Sequence, residues 1–383
     1  MQLFLTIFFF FLIIEWLLRI IARLKKTFFV KEVFRKDFLA EEYQDYIRRV
    51  EDWTKPMFYY LPIGLRLFNL KNPIPGRVEN NSLGFRCPEF TPPDPDTLRI
   101  ALLGGSAAWG SGASDNSATI AGQLEKMLNQ NRSFLGTYKK AQCYNLAQIN
   151  GYQTQDILTL LFFCNKIKPN IVISFTGWNE LVAMETMKKE ILEKYEVFYM
   201  SEMEGWEPIN IAGNKTKLLK DALIAWLKEH SELARLTEKY ALRSGEIRRS
   251  MPIDKMIEVG TVLFKNHLKI LHAVCRAYNA RHLQFLQPYL YRKKILAPEE
   301  QKIIHLYDDL RPAHRGKKTG DFLRSHNIYS SMLGEIQNSP DLFGQTHDLC
   351  DLFMEERDAR FYTLVHLNDA GYNEVARKIH NFL

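Results

Sequence analysis

Arg99-Ile-Ala-Leu-Leu-Gly-Gly-Ser106-Ala-Ala-Trp-Gly-Ser-Gly112 is the stretch that decides the fold. Ile100 to Leu103 is an apolar run of strand length, and it breaks into two glycines and a serine. After a second Gly-rich turn, residues 118–128 take helical spacing. Strand, glycine turn with a serine, helix is how an open α/β sheet presents a reactive group at the carboxyl end of a strand. An ordinary βα loop of small residues has the same local pattern, so the meaning of Ser106 depends on the rest of the chain.

Downstream, strands and helices alternate. Arg99–Leu103, Gln142–Ala147, Ile171–Thr176 and His282–Gln287 read as strands, and Asp348–Met354 as a last strand or turn. Helices are expected at Thr119–Leu128, Thr154–Lys166, about Pro298–Leu310, near Phe322–Ile336 and at Tyr372–Phe382, the last capped by Asn368 or Asp369. Such alternation predicts a three-layer α/β/α domain over 98–383, around a mostly parallel sheet of about five strands. Residues 181–280 interrupt the alternation. They are mainly helical and charged, and long enough for a helical insertion that caps the active edge of the sheet.

The chain of 383 residues is 46% hydrophobic and 25% charged, which is globular composition. The net charge of +7 is spread out, with no basic run interleaved with aromatics, which argues against nucleic-acid binding. Cys87, Cys143, Cys164, Cys275 and Cys350 are widely spaced. They suggest neither a disulfide framework nor a metal site, and Cys143 and Cys164 sit in apolar runs expected in the core. No metal or cofactor is implied.

The N-terminus has its own character. Leu3 to Leu24 is apolar apart from Thr6, Glu15, Arg19 and Arg23, and reaches the roughly 20 residues of a spanning helix. Glu15 and Arg19 are four apart, so one helix face pairs them. Residues 1–26 are therefore expected to be a membrane anchor helix, with an interfacial amphipathic helix as the alternative. Arg19, Arg23, Lys25, Lys26 and Lys31 follow the run and no basic side chain precedes it. The positive-inside rule then places the body in the cytoplasm, with a periplasmic body as the alternative. Residues 27–97 hold an amphipathic helix at 38–55, then a lead-in broken by Pro73, Pro75, Pro88, Pro92, Pro93 and Pro95.

Four sequence-distant pieces end β units: Ser106, Gly151, Asn179 and, before the last helix, His366. Loops that follow parallel strands emerge on one edge, so these pieces can meet. A serine becomes a nucleophile when a base takes its proton, and histidine suits that role near neutral pH. Attack on an ester creates an oxyanion, for which Ser106 N–H, Gly151 N–H and the Asn179 amide are candidate donors. Taken singly, Gly151 reads as a turn, Asn179 as a helix cap, His366 as a loop histidine and Glu180 as a first-turn carboxylate. Trp109 and Trp178 line a cleft or fill the core.

The ordered set resembles the SGNH/GDSL hydrolases. Gly-Gly-Ser106 with Ala-Trp-Gly110 is similar to the nucleophile block, Asn150-Gly151-Tyr to the glycine block and Gly177-Trp-Asn179-Glu180 to the Gly-x-Asn block. Val365-His366-Leu-Asn-Asp-Ala-Gly371 is similar to the histidine block. Asn81-Ser-Leu-Gly-Phe-Arg86, Leu286-Gln-Pro288 and Pro298-Glu-Glu300 resemble a membrane-anchored bacterial branch. The resemblance implies a flavodoxin-like strand order and a small-molecule ester substrate, a carbohydrate or lipid O-acyl ester. It also implies Ser106 as nucleophile, His366 as base, and an oxyanion hole of Ser106, Gly151 and Asn179.

Two positions depart from the family. Gly105 stands where an Asp often precedes the serine, and Thr363 stands where an acid precedes the histidine by three residues. A triad acid holds the imidazole tautomer, and its loss costs about 10⁴-fold. Thr363 leaves three possibilities: a Ser–His dyad, replacement of the acid by Asp358 or another carboxylate, or a catalytically impaired binding protein. Transfer of the acyl group to a polysaccharide hydroxyl is the alternative to hydrolysis.

Overall fold

The computed structural model describes residues 13–21, 58–60, 66–68, 77–180, 231, 253–305 and 329–383. These fall in two units, one holding 13–21 and 231, the other holding the rest. In the first unit, 13–21 is helical and Glu15 accepts a 2.8 Å hydrogen bond from Arg19 Nε, as the spacing predicts. Ser231 Oγ donates to the other oxygen of the same carboxylate at 2.8 Å. Among the described residues no helix is long and apolar enough to cross a membrane. Most of the anchor expected at 1–26 lies outside the described residues, as do the helix at 38–55 and residues 181–230 and 232–252 of the insertion.

In the second unit, β1 (Phe58–Tyr60) and β2 (Arg66–Phe68) form an antiparallel pair that the aromatic, charged sequence there did not announce. The main sheet follows. Its strands are β3 (Thr97–Gly104), β4 (Lys140–Asn145), β5 (Ile171–Thr176), β6 (Arg281–Leu286) and β7 (Thr346–Asp348), all parallel. The spatial order β4-β3-β5-β6-β7 is the flavodoxin-like order, with its switch point beside β3. β7 begins before the expected Asp348 and ends there, and the chain from Cys350 to Glu355 takes the turn that is the other reading of 348–354.

The helices are α1 (Ser106–Trp109), α2 (Ile120–Gln130), α3 (Gln153–Ile167), α4 (Ile253–Ala277), α5 (Pro298–His305), α6 (Tyr329–Ile336), α7 (Pro340–Phe343) and α8 (Asp369–His380). Thr119 and Asn368 cap α2 and α8 through side-chain oxygens that accept the N–H groups of Gly122 and Gly371. Ala101, Leu103, Tyr144 and Val172 alternate onto one sheet face and pack on Ile157, Leu160, Phe163 and Cys164 of α3 and Leu271 and Cys275 of α4. α2 and α8 pack on each other. α4 occupies the end of the expected insertion, yet it is the crossover between β5 and β6 and covers the sheet. Its buried Leu263, Phe264, Leu268, Leu271 and Cys275 recur at helical spacing, which is what commits it to the core. All five cysteines are buried and unbridged.

One buried polar pair sits inside this core. His282 on β6 hydrogen-bonds Ser174 Oγ on β5 at 2.9 Å, and burial pushes the imidazole down to about 3. The unfolded chain therefore takes up a proton, as pH falls below about 6.5, that the folded chain refuses until about 3. The neutral ring's contribution is complete above pH 6.5 and is lost as pH drops through that window. In urea melts of wild type and His282→Gln from pH 7 to 4.5, the stability difference should narrow with falling pH. The expected slope approaches about 1.4 kcal/mol per pH unit.

Candidate active site

Gly104 ends β3 beside Phe175 of β5, with φ +137 and an absent Cβ that would lie 2.2 Å from the Phe175 carbonyl oxygen. Only glycine lets the chain leave the sheet there. Gly105 is extended, at φ −85 and ψ −160, and α1 begins at Ser106. The N–H of Ser106 thus lies in a first helical turn, where backbone donors have no partner within the helix. Asn145, at the end of β4, donates to the carbonyls of Ala108 and Trp109 and so ties down α1. Arg86 of the lead-in does the same for the following turn. It lies over the Trp109 ring at 4.7 Å and donates to Gly110 O at 2.8 Å and Asn116 Oδ1 at 2.9 Å. Trp109 and Trp178 are buried packing residues, the latter 5.4 Å from the Tyr289 ring.

The loop before α8 docks on this turn. Asp369 Oδ1 accepts from Ser114 N at 2.8 Å, and Tyr372 Oη donates to Ser111 O at 2.8 Å. His366 Nε2 thereby comes within 2.8 Å of Ser106 Oγ, across 260 residues of sequence. Ser106 is 7% exposed, so the pair is buried yet reachable. Burial lowers the imidazole to about 4, leaving it neutral at neutral pH.

Asn179 Nδ2 donates to Gly151 O at 2.7 Å and lies against Gly105. The structure therefore brings together all four pieces singled out in the sequence. One detail differs: the Gly151 N–H donates to Gln148 O at 2.9 Å, because Asn150 turns the chain back with φ 56. Gly151 positions Asn179 through its carbonyl, and its own N–H is already engaged. Close approach also explains the residue type, since a Cβ on Gly151 would meet Gly104 O at 2.8 Å.

Neither Thr363 nor Asp358 takes the place of a triad acid. The Thr363 hydroxyl accepts the N–H groups of Val365, at 3.3 Å, and His366, at 3.0 Å, closing the turn that carries the histidine. The Asp358 carboxylate is 80% exposed and lies 3.6 Å from Arg360.

Two buried carboxyls beneath the loops were not legible as site residues. Glu180 is fully buried, and its oxygens accept from Gly177 N at 2.8 Å and Gln153 N at 3.0 Å. Asp156, in the first turn of α3, accepts from Gly104 N at 3.0 Å. Burial raises both above the usual carboxylate range, and the charge of Glu180 raises Asp156 further. Together they fix the loops bearing Ser106, Gly151 and Asn179. In sequence, Glu180 reads as a first-turn carboxylate and nothing singles out Asp156. The one signal was that Glu180 directly follows Asn179.

The two glycines before Ser106 differ in what they forbid. Gly104→Ala forces a Cβ into backbone at positive φ and should cost about 3 kcal/mol or more, read by urea melting. Gly105→Ala meets chiefly the Asn179 carboxamide, Nδ2 at 2.3 Å and Cγ at 3.2 Å, with Gly151 O at 3.3 Å, in an extended backbone region. It should melt within about 1 kcal/mol of wild type. Its crystal structure should show the Asn179 carboxamide moved off Gly151 O.

No family model and no curated protein matches this chain. Solved structures similar to it include an acetyl xylan esterase, 12% identical, covering 75% of this chain and 100% of its own, with TM-score 0.36. A family 3 carbohydrate esterase of Clostridium thermocellum is 11% identical over 74% of this chain and 94% of its own, at TM-score 0.34. An extracellular lipase of Streptomyces rimosus is 11% identical over 74% and 99%, at TM-score 0.35. Likeness at this level leaves function to be read from the chain's own geometry.

Proposed function

We propose that this protein is a serine ester hydrolase of the SGNH/GDSL type. The observation that carries the reading is the 2.8 Å hydrogen bond between Ser106 Oγ and His366 Nε2 at the carboxyl edge of the sheet. A neutral imidazole in that position takes the serine proton as Oγ attacks the ester carbonyl. The tetrahedral oxyanion is stabilised by Ser106 N–H and the amide of Asn179, with Gly151 holding that amide in place. The imidazolium then gives its proton to the departing alcohol. Water attacks the acyl-Ser106 ester with His366 again as base, releasing the acid and restoring the hydroxyl.

The imidazole must take a proton in a buried place, and Thr363 brings no charge to offset it. On the resemblance of the four blocks, the substrate is a small O-acyl ester of a carbohydrate or lipid.

A fluorophosphonate probe should label wild type and fail to label Ser106→Ala. His366→Ala should label far more slowly, and Asn179→Ala should lose about 10²–10³ in kcat on 4-nitrophenyl acetate. A wild-type protein that neither labels nor hydrolyses short aryl esters would sink the reading. Because His366 titrates near 4, kcat/KM should stay level down to about pH 4 and fall below it as the base protonates. Thr363→Asp should raise kcat by about tenfold or more and move that acid limb upward, since a carboxylate stabilises the imidazolium. An unchanged rate and limb would show that the chain does not lack an acid. The apolar run 1–26 is proposed, on hydropathy alone, as a membrane anchor, so the full-length protein should stay with membranes through an alkaline carbonate wash and a chain starting at 27 should not.

A further inference from the structure

Between β7 and α8 the chain has almost no regular structure, yet it must hold the His366 ring against Ser106. Around the histidine, Phe361 bridges Leu367, Tyr362 N donates to His366 O at 2.8 Å, Asn368 donates to Arg360 O and Ala359 O at 2.9 and 2.8 Å, and Leu290 N donates to Leu364 O at 2.8 Å. Beneath this loop sits an ion pair whose two side chains are fully buried, Lys293 and Glu300, with Nζ to Oε2 at 2.5 Å. Lys293 follows the short turn after β6, and Glu300 lies in the first turn of α5.

Nearly every remaining bond of the pair goes to the histidine loop. Lys293 Nζ donates to the carbonyl of Asp358 at 2.5 Å. Glu300 Oε1 accepts from Arg360 N at 2.9 Å and Phe361 N at 3.2 Å. Glu300 Oε2 also accepts from Ala297 N at 3.0 Å, which fixes the carboxylate on its own helix. Backbone groups that lie outside any sheet or helix still need partners, and these two buried side chains supply them to 358, 360 and 361, immediately before the turn from Phe361 to Leu367 that presents His366. A buried ion pair contributes little net stability compared with well-packed apolar residues, because desolvation offsets the attraction. What it does supply is geometry, since its bonds are directional and leaving either partner alone is costly.

We infer that Lys293 and Glu300 are positioning residues for the base: together they clamp residues 358–361 and set the His366 ring at Ser106. The inference rests on the hydrolase reading above. Neither side chain reaches substrate, and both act through His366.

The test compares wild type, Glu300→Gln and the double variant Lys293→Met/Glu300→Gln as full chains. Hydrolysis of 4-nitrophenyl acetate is followed from pH 3.5 to 8, with active sites counted by fluorophosphonate. Per active site, Glu300→Gln should lower kcat by about 10- to 100-fold with KM within about twofold of wild type. A loosened loop lets water reach the ring, so the acid limb of kcat/KM should move up from about pH 4 toward the ordinary histidine value near 6.5. A merely structural role would lower the active fraction while leaving kcat per site and the acid limb unchanged, and that result overturns the inference. If Glu300→Gln does not fold, the double variant carries the test, because it leaves no lone buried charge. Wild-type kcat and limb in a folded double variant likewise overturn it. If wild type itself neither labels nor hydrolyses, the hydrolase reading fails first and takes this one with it. Activity in wild type with none in Ser106→Ala, beside unaltered clamp variants, rejects the clamp alone.

Discussion

The molecule depends on a close approach at the end of one strand. At Gly104 the backbone leaves β3 against the Phe175 carbonyl, at a distance that no Cβ permits. Gly151 then packs against the Gly104 carbonyl, and the Asn179 carboxamide against Gly105. Three loops from three parallel strands therefore meet within a few ångströms, and Ser106 starts a helix in their midst. Any side chain at 104 or 151 would push those loops apart.

Two kinds of buried polar support hold the assembly. On the nucleophile side, Asp156 and Glu180 accept backbone N–H groups from Gly104, Gln153 and Gly177. On the histidine side, Glu300 and Lys293 do the equivalent for residues 358–361. Both supports meet the same need. Catalytic loops lie outside the sheet ladder, so their backbone groups must find partners among side chains. Groups so held lose freedom before the reaction begins, and catalysis draws on that preorganisation.

Thr363 is where chemistry and architecture part. Its hydroxyl caps the His366 turn, a geometric job that a carboxylate oxygen at that position would also do. What the threonine lacks is charge. The imidazole is accordingly a neutral, buried base whose affinity for a proton is lowered by desolvation, with its place fixed by the turn and the loop beneath it.

The amino-acid order by itself determined the layers and the sheet. An apolar run at Ile100, a β-branched run at Ile171, glycine breaks after them and amphipathic helices between them leave little alternative to a parallel α/β sheet. Because parallel strands open on one edge, it also determined that Ser106, Gly151, Asn179 and His366 share that edge. Strand ends shifted by a residue or two except at the last strand, which ends at Asp348 where 348–354 reads as strand or turn, and β1 and β2 went unseen, since short strands carry little periodicity. Local pattern was silent wherever a role depends on a distant partner. Helical spacing at 256–278 reads the same for a cap as for the crossover that α4 turned out to be, and only packing against α3 distinguishes them. Glu180 reads as a first-turn carboxylate, nothing marks Asp156, and Glu300 stands out only within the Pro298-Glu-Glu300 resemblance; their burial follows from loops that fold over them. The occupied N–H of Gly151, the hydroxyl of Thr363 spent on its own turn and the 2.8 Å approach of His366 to Ser106 were likewise decided by tertiary structure. Hydrogen-bond partners are chosen in three dimensions, and one-dimensional spacing records only that a partner will be needed.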